Sequence, residues 1–269
     1  MKTFLLFLLL LFAGYGRAQN IVDAVAYRFV YDAQLRITKK SNEMSNDEHY
    51  LDIGKNNISR YYSMWKAMRR EVIDSVYAVG GKSSDVDREL QSKGIESSFF
   101  SYDILKNYPQ RNEQTITYTT GQRLQYSEPS GMEWTLEDGD STLLGYSCQK
   151  ASTVYHGKKW TVWYTRDIAI PEGPWKLCGL PGLILNAKES NGDFIFNCIG
   201  VEKPVGKYLT LLTKKVIKTT PQKAHQTIEF IENDPLGYLN MRGKNVSVLV
   251  DGNSSNSIEI KRVHIESYR

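Results

Sequence analysis

The sequence predicts a mainly β (α+β) protein: a curved antiparallel sheet or half-barrel with one or two helices packed on its concave side. Apolar and polar residues alternate with period two through most of the 269 residues. Turn signals rich in Gly and Asn separate the alternating runs at short intervals, so successive strands pair antiparallel. The spacing becomes helical in two places, and a long antiparallel sheet must curl or cover one face.

The first strand is read at residues 25–31. Strands at 48–53 and 58–62 flank Gly54-Lys55-Asn56-Asn57, a hairpin signal. Met64, Met68, Val72, Val76 and Val79 then recur at steps of four, four, four and three, which is one face of a helix. Ser63 is its N-cap and Gly80-Gly81 its stop. That apolar face is expected to cover the sheet. A short helix follows at 85–91. Further strands are read at 98–105, 115–119, 123–126, 143–155, 158–168, 183–189, 194–202, 246–250 and 258–265. His156-Gly157, Ser190-Asn191-Gly192 and Asp251-Gly252 are the turns between them. Pro221 opens a second helix over 221–232, at a position where its missing N–H costs nothing. No internal repeat or Pro/Ser linker divides the chain, so residues 19–269 read as a single domain.

Residues 1–18 read as a signal peptide. Lys2 supplies the positive start, residues 4–12 an apolar run too short to span a membrane, and Gly16 and Ala18 the small residues of a cleavage site. Lys2 and Arg17 leave with it, so 34 basic against 30 acidic residues become 32 against 30. The mature chain is nearly neutral. Its densest basic stretch, Lys214, Lys215 and Lys218, is too sparse for nucleic acid. No later segment is apolar enough for a transmembrane helix. The expected location is therefore export, to the periplasm or in association with the outer membrane.

The most distinctive segment holds Tyr146-Ser-Cys148-Gln-Lys150-Ala151, then Lys159-Trp160-Thr-Val-Trp163-Tyr164, then Gly173-Pro174-Trp175-Lys176, then Gly179-Leu180-Pro181-Gly182-Leu183-Ile184. It resembles the GLPGLI family of exported Bacteroidetes proteins, whose hexapeptide is present intact. The resemblance is strong over residues 145–202 and implies an exported location and a β-rich fold. It implies no reaction, because that family is largely uncharacterised. Pro181 and Gly182 stand at the central positions of a type II turn, Pro fixing φ and Gly accepting a positive one. The hexapeptide is thus read as a structural corner. The alternative is a rigid loop presenting Trp175 and backbone amides to a ligand.

An oxidising compartment permits a disulfide among Cys148, Cys178 and Cys198. Hairpin arithmetic sets Cys148 opposite Thr165 and Cys198 near Ile184, gathering the three at one end of a meander. Cys148–Cys198 is the first choice and Cys148–Cys178 the second. Three reduced thiols and a three-Cys metal site are the alternatives.

No motif for nucleophilic, zinc or phosphate-binding chemistry occurs, and no cofactor is implied. The four His residues are scattered. Asp167 and Glu172 are the nearest approach to a catalytic carboxylate pair. Trp160, Trp163, Tyr164 and Trp175 are a candidate ligand or partner surface, weighed against ordinary core packing. Asp140-Ser141-Thr142 fits an O-glycosylation pattern at Ser141. The expected function is a non-enzymatic envelope accessory protein that holds a hydrophobic ligand or an outer-membrane protein partner. The alternative is an exported hydrolase or peptidase with dispersed catalytic residues.

Overall fold

The computed structural model describes residues 21–37, 42–120, 122–213, 215–241, 248–250 and 253–255. Residues 1–18, read as a signal peptide, Lys214, the turn read at Asp251-Gly252 and the strand read at 258–265 lie outside them. The first strands are β1 (Ile21–Arg36), β2 (Met44–Gly54) and β3 (Ser59–Ser63), followed by helices α1 (Met64–Ala78) and α2 (Ser83–Ser92). Then come β4 (Tyr102–Lys106), β5 (Glu113–Thr120), β6 (Gln122–Pro129), β7 (Thr135–Leu143), β8 (Tyr146–Tyr155), β9 (Lys158–Thr165), β10 (Leu183–Glu189) and β11 (Phe194–Glu202). Short β12 (Tyr208–Thr210) and β13 (Val216–Lys218) lead to α3 (Pro221–Asn233), α4 (Pro235–Met241) and the separate pair β14 (Val248–Val250) and β15 (Asn253–Ser255).

Thirteen strands form one sheet in the order β13-β6-β5-β4-β3-β2-β1-β11-β10-β9-β8-β7, with β12 beside the start of β1. All pairings are antiparallel except β13 with β6. The predicted hairpin pairs Asp52 with Arg60, and the His156-Gly157 turn pairs Gln149 with Tyr164. His156 and Gly157 both have positive φ, as a two-residue primed turn requires. The sheet curls strongly. The His156 turn at one end comes within 3.4 Å of Glu128 on β6, near the other end.

Alternation gives the sheet two different faces. The inner face carries Tyr31, Leu51, Tyr61, Ile104, Ile116, Tyr126, Trp160, Val162 and Phe196, all in one buried cluster. The loop between β9 and β10 fills this concavity with Trp175, Leu177 and Leu180, and α3 adds Ala224 and Ile228. Two buried ion pairs hold the loop. Lys106 Nζ lies 3.0 Å from Glu172 Oε2 and donates to the carbonyls of Gly173 (2.7 Å) and Leu177 (3.0 Å). Lys176 Nζ lies 2.6 Å from Glu128 Oε1.

Helix α1 has the predicted cap, Ser63 Oγ accepting from Lys66 N–H at 3.1 Å. Its apolar stripe does not cover the concave side. Met68, Val72 and Val76 pack instead with Val86 and Leu90 of α2 and with Ile95, a separate small core. The reason lies in the sheet. Its outer face beneath α1 displays Arg28, Asp52, Arg60 and Asp103, so an apolar stripe finds no partner there and a second amphipathic helix supplies one.

Candidate functional site

The hexapeptide corner differs from a type II turn. The Leu180 carbonyl accepts from Gly182 N–H at 2.8 Å, a three-residue turn centred on Pro181. Positive φ falls at Gly179 (+96°) and Trp175 (+51°), not at Gly182. Gly182 is required by crowding: a Cβ there would meet the Thr165 carbonyl oxygen at 2.0 Å. Leu180, Leu183 and Ile184 are buried, while Gly179 and Pro181 are exposed.

The aromatic surface expected of Trp160, Trp163, Tyr164 and Trp175 is mostly core. Trp160, Tyr164 and Trp175 are fully buried. Trp175 stacks on Trp160 at 5.4 Å between ring centroids, and Trp160 stacks on Phe196 at 6.0 Å. Trp163 alone is partly exposed. Curling of the sheet over its own loop removes the groove that a flatter sheet would offer. Asp167 is exposed and Glu172 is buried against Lys106, so the two do not flank a common cleft. Ser141 is partly buried in β7, the last strand of the sheet, opposite Cys148. His49 is a core residue, its ring nitrogens 2.7 Å from the Tyr61 hydroxyl and 3.0 Å from Asp47.

All three cysteines are free and buried, and neither the Cys148–Cys198 nor the Cys148–Cys178 bridge is formed. The hairpin arithmetic holds for Cys148, but β9 and β10 stand between β8 and β11. Three strand spacings of about 4.8 Å exceed the reach of a disulfide. Burial pushes the Cys178 thiol up to about 12 and the Cys198 thiol to about 11. Among the described residues no group of three or more His, Cys, Asp or Glu is gathered to hold a metal ion.

The open site lies on the other face, between α1 and the sheet. Arg28 on β1 grips Asp52 on β2 through two bonds, Nε to Oδ1 at 2.6 Å and Nη2 to Oδ2 at 3.0 Å. The Tyr62 hydroxyl joins them, donating to Asp52 at 2.9 Å. One strand further, Arg60 grips Asp103 in the same fashion at 2.8 and 2.6 Å. Arg70 of α1 reaches down to the same carboxylate at 3.3 Å. Burial alone would raise the Asp103 carboxyl; the charges and hydrogen bonds of Arg60 and Arg70 outweigh it and hold it below the usual carboxylate range. Two cavities flank Arg70 and Arg123. One, of about 730 Å³, is of mixed sign, lined by Arg28, Asp52, Arg60, Glu71 and Asp74 among others. The other, of about 490 Å³, is lined by Lys66, Arg69, Arg70 and Arg123, with Asp103 the one carboxylate among the described residues.

None of the four residues of the two Arg–Asp grips figures among those singled out by sequence. A signal existed: the Gly54–Asn57 hairpin pairs Asp52 with Arg60, so opposite charges meet on adjacent strands. Alternation alone marks such positions as ordinary solvent-facing residues. What turns them into a site is α1 lying across them.

The family model described as N-glycanase peptide, N-terminal domain, matches residues 111–229. That region contains the whole segment carrying the hexapeptide resemblance. Two solved structures of PNGF-II, in P21 and C2 crystal forms, are similar to the chain. They share 16% and 15% identity with TM-scores of 0.47 and 0.48, each over 78% of this chain. The chain spans about a third (34%) of the length of those structures. No curated protein matches the chain.

Proposed function

We propose that the chain is an exported, non-catalytic binding module of the cell envelope, whose ligand enters the cleft between α1 and the outer face of the sheet. The observation that carries this reading is the pairing of its carboxylates. Asp52 and Asp103 are each gripped by an arginine through two bonds, so both carboxylates are taken up in ion pairs rather than left facing a substrate. Such an arrangement fixes charged donors in space for recognition. The filled concavity argues against a hydrophobic ligand there, and the charged cleft favours a polar one.

Export rests on residues 1–18 and on the resemblance to the GLPGLI family through the hexapeptide. The match to the N-terminal domain of an N-glycanase family supports an accessory role beside other domains, since a region of that description accompanies an enzyme. Native mass spectrometry of protein purified from the envelope of cells producing it tests the reading. A small ligand should be retained by the native chain and by Trp163→Ala, and lost in Arg70→Ala. Turnover of a substrate that vanishes on substitution of Asp52 or Asp103 would refute it.

A further inference from the structure

We propose that the smaller cavity, beneath the first turns of α1, binds a tetrahedral oxyanion: a phosphate or sulfate ester on a small ring-bearing ligand. The inference rests on reading the α1 cleft as a binding site and names the chemistry of what binds.

Charge is the first argument. Lys66, Arg69, Arg70 and Arg123 line the cavity against Asp103, which Arg60 and Arg70 already engage. Arg70 spends a single N–H on that carboxylate. Burial depresses its basicity, and the charges of Arg60 and Arg123 add to the effect against the pull of Asp103. An arginine does not deprotonate under such pressure, so relief comes from an incoming anion. The neighbouring cavity sets three carboxylates, Asp52, Glu71 and Asp74, among its five cations, where this one sets Asp103 alone among four.

Direction is the second. The cations approach from two sides, Lys66, Arg69 and Arg70 from α1 and Arg123 from β6. Ser101 before β4 and Thr119 on β5 add hydroxyls, with Lys66 Nζ 3.4 Å from Ser101 Oγ. Donors set on two sides of one cavity suit an anion with three terminal oxygens better than a flat carboxylate. The N-terminal turn of α1, whose N-cap Ser63 lines the cavity, carries no acidic residue to offset the positive end of the helix dipole.

The walls supply the third. Tyr62, Tyr102 and Phe99 line the cavity, Phe99 being 45% exposed. Aromatic sides beside an anion seat suit an ester on a ring, and about 490 Å³ is within the range of small-ligand sites.

Isothermal titration calorimetry at low ionic strength, with glucose 6-phosphate, glucose 6-sulfate and glucose as probes, tests the proposal. At least one ester should bind saturably with one site per chain, and glucose should not. Lys66→Gln and Arg69→Gln should each weaken binding several-fold, and Arg70→Ala by roughly tenfold or more. Circular dichroism melts check each fold, and Arg69→Gln breaks no ion pair among the described residues. No binding of either ester, or equal binding by the native chain, Lys66→Gln and Arg69→Gln, overturns the proposal. A retained neutral ligand in the native spectra, with both esters failing, overturns the oxyanion assignment but leaves the binding module standing. Ester binding with no ligand retained from the envelope supports the site and counts against the envelope role.

Discussion

Lys106 and Glu172 form an ion pair at 3.0 Å in the interior of the half-barrel, where the lysine is 1% exposed. Lys106 belongs to the sheet and Glu172 to the loop carrying the hexapeptide. Asn107 Nδ2 donates to the other oxygen of Glu172 at 3.2 Å. The pair therefore ties the β9–β10 loop to β4, across the concave side, and the same ammonium donates to two carbonyls of that loop. An apolar side chain at position 106 would leave those carbonyls without a donor. Together with the Lys176–Glu128 pair, this contact holds the loop inside the sheet rather than on its rim.

Removing one member of such a pair strands the other charge. Lys106→Met should cost about 3–5 kcal/mol, read as a lower urea midpoint. Adding Glu172→Gln should recover part of that loss, because the stranded carboxylate is gone. A double variant no more stable than Lys106→Met would contradict the pairing.

The two glycines of the hexapeptide fail for different reasons. Gly182→Ala places a methyl group 2.0 Å from the Thr165 carbonyl oxygen, so the backbone itself must move. A cost of about 3 kcal/mol is expected. Gly179 meets nothing closer than Trp134 Nε1 at 3.9 Å, but its φ is +96°. Gly179→Ala should cost about 1–2 kcal/mol through backbone strain alone. Thermal melts of the two variants check the order, and an equal or reversed order would contradict it.

The regular parts of this fold are legible because they rest on local signals. Strands at 183–189 and 194–202 and the Ser63 cap follow from spacing and capping chemistry within a dozen residues. Strand β7 carries no such signal. Glu137, Asp138, Gly139 and Asp140 give it no apolar alternation, and a bulge shifts its register there. Such charge suits an edge strand, which must not pair with another chain. The site is illegible for a different reason. It is assembled from β1 to β6 and α1, and only the sheet order brings Arg28, Arg60, Asp103 and Arg123 beneath one helix. The sequence also shows α1's apolar stripe but not that α2 would claim it.

The sheet order makes a further statement about the thiols. With β9 and β10 between Cys148 and Cys198, the unfolded protein should titrate three thiols without reductant. The folded protein should react slowly at pH 8, since burial raises Cys178 to about 12 and Cys198 to about 11. One titratable thiol in the unfolded chain would contradict this arrangement.

The most acid-sensitive part of the molecule should be the cluster of Glu128, His156, Lys176 and His225 where the sheet closes. His225 packs edge-on against Tyr126 at 5.0 Å. Burial, then repulsion from Lys176, lowers its basicity to about 3, so the folded state keeps it neutral while an unfolded chain protonates it near its usual value. The unfolded state binds the extra proton between about pH 6.5 and 3, and stability present above that window is lost as pH falls through it. Burial raises the Glu128 carboxyl, but His156 and Lys176 prevail and bring it to about 2. Its contribution is present above about pH 4.5 and drains away toward pH 2, in the same direction. The full loss across both windows should amount to several kcal/mol. Urea midpoints should therefore fall between pH 7 and pH 4 in the native chain. His225→Phe keeps a ring beside Tyr126 and removes the titrating group, so its midpoint should vary less over that interval. An equal fall in both proteins would place the acid sensitivity elsewhere.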